Sequence, residues 1–341
     1  MTSRFLSILA MLAVVHLISA TPPALSAGWV PGKTGSEPEQ PAPAKAGEAP
    51  AKPAEYKAVF IHKLSDFSGP KPYSSSQLKH DPAKGEVYAI NGDSVSVFNA
   101  SGMEIFRIDS DSSIGSIVDI VVASDQKLVM LVNKNSSTRL LQCNYRGEPL
   151  GEIALKGLPP ELKDFAPSRI YGRDKQFYLV STAGMRLVVI DEQGAFIQAI
   201  DLAKALGYSE QERYDSGIGG FALDRDGGFV IIDSIAGKLY TLASDGKTSK
   251  VYGRRGSRPG QFGVPTGVAV DRDGNYLVVD KLRCVVMAFD RNFTFLLEFA
   301  KRGLGPGDLI APDDIVVDNA NRAYISNLRK RGVVVYQLSS S

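Results

Sequence analysis

The chain is 341 residues long, 44% hydrophobic and 22% charged, with 33 glycines and 19 prolines. That is enough apolar surface for a real core, and it excludes wholesale disorder. Two cysteines rule out a disulfide framework, three histidines are a poor stock for zinc or general-base chemistry, and a formal charge of +2 announces no nucleic-acid binder.

The first residues, MTSRFLSILAMLAVVHLISATPPALSA, place Arg4 ahead of an apolar run from Phe5 to Ile18, then small residues with cleavage expected after Ala20 or Ala27. This is the three-part pattern of a secretory signal peptide over residues 1–27. The run is shorter than the roughly 20 residues that span a bilayer, so no transmembrane span is expected after cleavage; retention as an uncleaved anchor is the alternative. Residues 28–55 read as a Pro/Ala-rich disordered linker. Its segment 31–55 holds six prolines and no aromatic or β-branched side chain except Thr34. Such a composition cannot offset the entropy of ordering a backbone, so an extended tether is expected. The composition is that of bacterial envelope linkers, and the expected address is periplasmic or secreted.

From residue 56 to 341 the chain repeats. Residues 56–64 (YKAVFIHKL) form a lone strand pattern. Residues 77–109, 117–155 and 168–202 each carry several short runs rich in Val, Ile, Tyr and Phe, separated by turn residues. The repetition is plainest toward the end. Asp224, Asp271 and Asp318 are spaced by 47 residues, as are Pro265 and Pro312. Each Asp closes an alternating apolar run (GGFALD, TGVAVD, DDIVVD) and precedes a second run and then a third. Four short antiparallel strands at a period of 40 to 50 residues are the mark of a β-propeller blade. Six such units account for residues 56–341, so the expected fold is all-β: a six-bladed propeller. The last unit lacks a fourth strand, and residues 56–64 are expected to supply it and close the ring.

Residues 256–292, GSRPGQFGVPTGVAVDRDGNYLVVDKLRCVVMAFDRN, resemble an NHL repeat: a Gly-x-Phe-x-x-Pro lead-in, Val-Ala-Val-Asp, a Gly-Asn turn, Val-x-Asp, and Arg before the third strand. The last unit keeps GPGDLIAPDDIVVD, with Leu309 in place of the Phe and Asn327 in place of Asp280. The fourth keeps only GIGGFALDRDGGFVIID, and the first three match by period alone. The resemblance implies a secreted bacterial propeller from a group that includes protein-binding and RNA-binding scaffolds. Related six-bladed folds include lyases, lactonases and esterases, so fold does not choose a function.

Within the repeat, Gly227, Gly246 and Gly274 fall in turns where positive φ suits glycine. Asp224, Asp271 and Asp318 are expected to cap turns through backbone N–H groups; the paired carboxylates of DRDG fall well short of a calcium loop. Asp233, Asp280 and Asn327 are expected to hydrogen-bond neighbouring loops. Cys143 and Cys284 fall in the third strands of blades 2 and 5, on opposite sides of the ring, too far apart for a disulfide. Strand parity puts the loops between blades and the second-to-third turns on one face. There Arg254, Arg255, Arg258, Lys281, Arg283, Lys301, Arg302, Arg329, Lys330 and Arg331 gather against Asp233, Asp280, Asp308, Asp313 and Asp314. From residue 250 onward there are 14 basic and 9 acidic residues. A patch of that kind attracts an anionic partner, although a solvated rim is the plainer reading.

The function expected from the sequence is an interaction scaffold that binds an unidentified protein or anionic envelope polymer through this basic face, with no cofactor and no nucleic acid. The alternative is a metal-dependent, calcium-type hydrolase or lyase in the central channel. Its first candidate ligands are Asp119, Asp313 and Asp314, at the starts of innermost strands. The mature chain keeps only His62 and His80, so a three-histidine zinc site is excluded by arithmetic.

Overall fold

The computed structural model describes residues 55–71, 77–92, 94–247, 249–328 and 332–340. The signal peptide, the linker up to residue 54, and Arg329, Lys330 and Arg331 lie outside the described residues.

Six four-stranded antiparallel sheets follow one another around a ring. The innermost strands are Gln77–Asp81, Ser116–Val122, Arg169–Arg173, Ile218–Leu223, Pro265–Val270 and Pro312–Val317, in blades 1 to 6. Burial peaks in the second and third strands of the blades and falls off toward the channel and toward the rim. The second strands Phe229–Asp233 and Tyr276–Asp280 are buried throughout, whereas the outermost strand of blade 2, Pro149–Ile153, is exposed along most of its length. The apolar core of the described residues is six clusters, one between each pair of neighbouring blades. This is why the strands read as continuous apolar runs: both faces of a blade are covered by its neighbours.

The Gly-x-Phe-x-x-Pro lead-in has a packing role. Phe262 is fully buried between blades 4 and 5, edge-on to Tyr252 and Phe289 at centroid distances of 5.8 and 5.7 Å. Leu309, 47 residues later, fills the equivalent place between blades 5 and 6.

The aspartates at the ends of innermost strands cap turns as expected. Asp271 Oδ1 accepts from the N–H groups of Asp273 (2.9 Å) and Asn275 (2.8 Å), and Asp318 Oδ1 from those of Ala320 (2.9 Å) and Arg322 (2.8 Å). Gly274 sits in such a turn at φ 86°. The second oxygens receive tyrosine hydroxyls: Tyr276 donates to Asp224 at 3.0 Å, Tyr324 to Asp318 at 3.0 Å, and Tyr56 to Asp271 at 2.7 Å. Asp280 Oδ2 accepts from Gly263 N–H at 2.6 Å and Asn327 Oδ1 from Ile310 N–H at 2.9 Å, so these residues do hold their lead-in loops.

The strand Tyr56–Lys63 pairs antiparallel with Val333–Ser340, from Tyr56↔Ser340 to Lys63↔Val334, and completes blade 6. Tyr56 reaches on to blade 5 through Asp271, and Ser340 Oγ donates to Asp273 at 2.6 Å.

Three features depart from the sequence reading. Cys284 lies in the turn just ahead of the third strand Val285–Phe289, at φ 58°, with its sulfur accepting from Ala311 N–H at 3.4 Å. Cys143 ends the strand Ser137–Cys143 as expected, both thiols are buried and unpaired, and burial pushes that of Cys143 up to about 11. Two short helices, Leu202–Ala205 and Glu210–Asp215, occupy the connection between blades 3 and 4. The second carries a capping box between Ser209 and Glu212. A two-residue hairpin, Ser65–Asp66 with Gly69–Pro70, precedes blade 1.

Two predictions follow from the closure and the buried histidines. Tyr56→Phe removes one hydrogen bond to a buried carboxylate, and urea unfolding is expected to show a loss of about 1–2 kcal/mol. His62 and His80 bury Nε2 without a partner among the described residues, and desolvation, with Arg322 nearby, lowers both pKa values from the usual 6.5. The unfolded chain therefore takes up protons that the folded state refuses. The stability concerned is fully present above pH 6.5 and is lost as pH falls below it. Thermal unfolding should show the melting temperature dropping below pH 6.5, with a shallower slope in the His62→Gln/His80→Gln double variant. That comparison isolates the histidines from Asp314, whose raised pKa works in the opposite sense.

Candidate functional site

Two surfaces carry chemistry: the face built from inter-blade loops and second-to-third turns, and the central channel.

On the loop face, residues 253–264 and 300–311 take the same form. Phe262 N–H donates to Arg254 O at 2.7 Å and Leu309 N–H to Lys301 O at 2.8 Å, with bridges pairing Arg255 to Phe262 and Arg302 to Leu309. The predicted basic residues divide into two groups. Arg255 donates to Gly263 O at 3.2 Å, and Arg302 donates to Leu282 O. Arg283 is largely buried, pairing with Glu298 at 2.7 Å and donating to Gln261 O at 2.9 Å. Lys281 pairs with Asp313 at 2.7 Å. These four pin loops together. Arg254, Arg258 and Lys301 are exposed, and their charged groups have no side-chain partner among the described residues.

The acids counted against them are directed inward. Asp233 and Asp280 are buried, and Asp308 folds back onto Gly305 N–H at 2.9 Å. Asp314 lies in the channel wall. The same face carries exposed apolar side chains that the sequence reading overlooked. Ile235 and Leu282 tip equivalent turns 47 residues apart at 60% and 58% exposure, and Phe67, Tyr214 and Leu304 stand on other loops of the same face. Their signal was present: an apolar residue two places beyond the loop-holding Asp, in DSIAG and DKLRC.

The channel holds a cavity of about 580 Å³ lined by all six innermost strands. Its wall is sealed in two ways. At the same strand position, blades 2 and 6 carry Asp119 and Asp314, whose carboxylates accept backbone N–H groups of the next blade: Ile170 at 2.8 Å and Leu78 at 2.9 Å. Blades 4 and 5 carry Gly220 and Gly267 there. A Cβ on either would lie 3.0 Å or less from the backbone of the next blade, so the strands meet directly. Asp119 and Asp314 each use the other oxygen on a local N–H, of Ile120 and Ile315, both at 2.9 Å. Of the three candidate metal ligands, then, two are inter-blade latches and Asp313 is paired with Lys281. They do not converge on one point.

Blade 1 adds Lys79, which reaches past blade 2. Its Nζ is 2.8 Å from Asp119, donates to Ile170 O at 2.7 Å, and sits 3.8 Å above the Tyr171 ring. Burial holds the Lys79 ammonium below the usual lysine range, against the pull of Asp119. Burial pushes the Asp314 carboxyl up. Arg169 donates to Ser168 O at 3.0 Å and to the Gln77 side-chain oxygen at 2.9 Å. The chain's sequence offers no local sign of the contacts of Lys79 or of Arg169 with Gln77, because these partners lie one or two blades apart.

No family model matches the chain, and no curated protein does. Solved structures do match. A protein of unknown function from Bacteroides thetaiotaomicron aligns at a TM-score of 0.60 and 14% identity, over 84% of this chain and 77% of its own. A luciferin-regenerating enzyme aligns at 0.57 and 12%, over 83% and 95%. Virginiamycin B lyase from Staphylococcus aureus aligns at 0.52 and 13%, over 84% and 88%. At such identity the likeness establishes a shared six-bladed propeller fold.

The latch geometry makes a prediction. Asp119→Ala leaves the Lys79 ammonium and the Ile170 N–H without their carboxylate. Urea unfolding should register a loss of about 3 kcal/mol. Adding Lys79→Met is expected to recover part of it, since the stranded charge is then gone.

Proposed function

We propose that this is a periplasmic or secreted NHL-type interaction module that docks a partner protein on its loop face. One observation carries the reading: exposed apolar residues, Ile235 and Leu282 with Leu304, share the loop face with Arg254, Arg258 and Lys301, whose charged groups have no side-chain partner among the described residues. An apolar centre with charged surroundings is the anatomy of a protein interface, and the cations favour an acidic partner. The sequence adds Arg329, Lys330 and Arg331 to the charge expected on this face; they lie outside the described residues. The propeller begins at Tyr56, on the opposite face, beside the Asp271 turn. The calcium-type hydrolase or lyase reading finds less support, because Asp119 and Asp314 are already committed to backbone N–H groups.

The test is capture by the full chain from envelope extract at low and high salt. Ile235→Ser/Leu282→Ser is expected to abolish capture of a specific protein, and Arg254→Glu/Arg258→Glu/Lys301→Glu to weaken it and flatten its salt dependence. Both variants should melt like the wild type, since none of these side chains is buried. Equal capture by all three proteins would sink the assignment of this face. Retention of a protease-resistant polymer, lost only in the charge variant, would replace the protein partner with a polyanion.

A further inference from the structure

The innermost strand of blade 3 reads Arg169-Ile170-Tyr171-Gly172-Arg173. Alternation along a strand puts Arg169, Tyr171 and Arg173 on one side, and all three line the channel cavity. Gly172 between them is forced by closeness: a Cβ there would come within 2.9 Å of Val121. Lys79 is neutralised by Asp119 at 2.8 Å. The three guanidiniums that line the cavity have no carboxylate within salt-bridge distance among the described residues. Arg169 donates to oxygens of Ser168 and Gln77. Arg225 donates to Asp271 O at 2.6 Å, and Arg173 donates to Asp224 O while its Nη2 is buried without a partner. The Tyr171 hydroxyl likewise has no hydrogen-bond partner among the described residues.

The opposite wall is more apolar. Phe221, Ala222, Val268, Ala269 and Val316, from blades 4 to 6, line it, with Asp224 and Arg225 at the end of the blade 4 strand and Asp314, whose carboxylate is held by the N–H groups of Leu78 and Ile315. The Phe221 ring lies 5.0 Å from that of Tyr171, joining the two walls. The cavity therefore has a cationic side with an idle phenol and an apolar side, at a volume suited to a small molecule.

We infer that the channel is a binding site for a small organic carboxylate with an apolar body, its carboxylate held by Arg169 and the Tyr171 hydroxyl and its body lying against Phe221 and the blade 4–6 wall. A planar guanidinium beside a hydroxyl donor matches a carboxylate with two parallel bonds, whereas a neutral ligand leaves that charge uncompensated. The site is independent of the docking face.

The probe is 4-phenylbutyrate, titrated calorimetrically into the full chain beside its neutral amide. One-to-one binding of the acid is expected, with the amide at least tenfold weaker. Arg169→Met should weaken the acid at least tenfold and leave the amide unchanged. Arg169→Lys should recover only part of the loss, because it keeps the charge without the fork, and Tyr171→Phe should cost several-fold. The Ile235→Ser/Leu282→Ser variant should bind the acid as the wild type does, so failure of the docking reading leaves this one standing. Absence of saturable binding by the acid overturns the proposal. So does equal affinity for acid and amide, which would mark a merely apolar void. Unchanged affinity in a folded Arg169→Met protein overturns it too; if that variant does not fold, unchanged affinity in Arg169→Lys does the same.

Discussion

A propeller's core is incomplete until its ring is shut. Each blade buries its faces against two neighbours, so an unfinished sixth blade would leave a sheet edge and an apolar interface in water. The pairing of Tyr56–Lys63 with Val333–Ser340 removes that edge. Joining segments this far apart in sequence costs about 5 kcal/mol of loop entropy, because closure grows only with the logarithm of length. A strand of eight residues that buries alternate side chains more than offsets it. The contacts at the seam reach beyond strand pairing: Tyr56 and Ser340 bond the Asp271 turn of blade 5, so the seam is tied to a blade on its far side.

The same constraint acts at the narrow end of each wedge. Six innermost strands converge on the channel, and their backbones must either touch or be joined. Gly220 and Gly267 allow touching; Asp119 and Asp314 join by accepting the next blade's N–H. Where the join is a carboxylate, charge is brought into the wall and must be balanced. Lys79 does so for Asp119, and the chemistry of the channel on the side of blades 1 to 3 follows from that. Where the join is glycine, no charge is introduced, and the wall stays apolar. The unequal walls of the cavity thus follow in part from how the ring is sealed, with Asp314 of blade 6 the one carboxylate join on the more apolar side, held by the N–H groups of Leu78 and Ile315.

The ring was legible in the sequence because its physics is repeated. Asp224, Asp271 and Asp318 do the same work at the same interval, and so do Phe262 and Leu309. A period of 47 residues makes such positions visible without any knowledge of contacts. The closing strand was legible by subtraction, since one unit lacked a strand and one strand lacked a unit. The helices at 202–205 and 210–215 escaped because they interrupt the repeat, although the Ser209–Glu212 capping box was a local sign of one. The basic face was legible only as a tally of charge. Composition could not tell Arg283, buried against Glu298, from Arg258, free in solvent, because pairing is decided by which loops meet. The alternation in RIYGR was written in the sequence too, but nothing local says that Lys79 crosses a blade to lie over Tyr171.

Divergence of the repeats has a physical reading as well. Blades 4 to 6 keep the turn residues and blades 5 and 6 the lead-in, whose loops are held by side chains of the repeat: Arg255 on Gly263, Arg302 on Leu282, Asp280 on Gly263, Asn327 on Ile310. Blades 1 to 3 have lost that pattern but carry the side chains that span the channel, Gln77, Lys79, Asp119, Arg169 and Tyr171. A loop held by its own residues can present apolar tips such as Ile235 and Leu282 without collapsing over them. A blade relieved of the repeat consensus can place a lysine or an arginine where its neighbours keep alanine and valine. The two halves of the ring have therefore specialised in different directions, one outward toward the loop face and one inward toward the channel. The closed ring makes this possible, because each blade's fold is secured by its neighbours and not by its own motif.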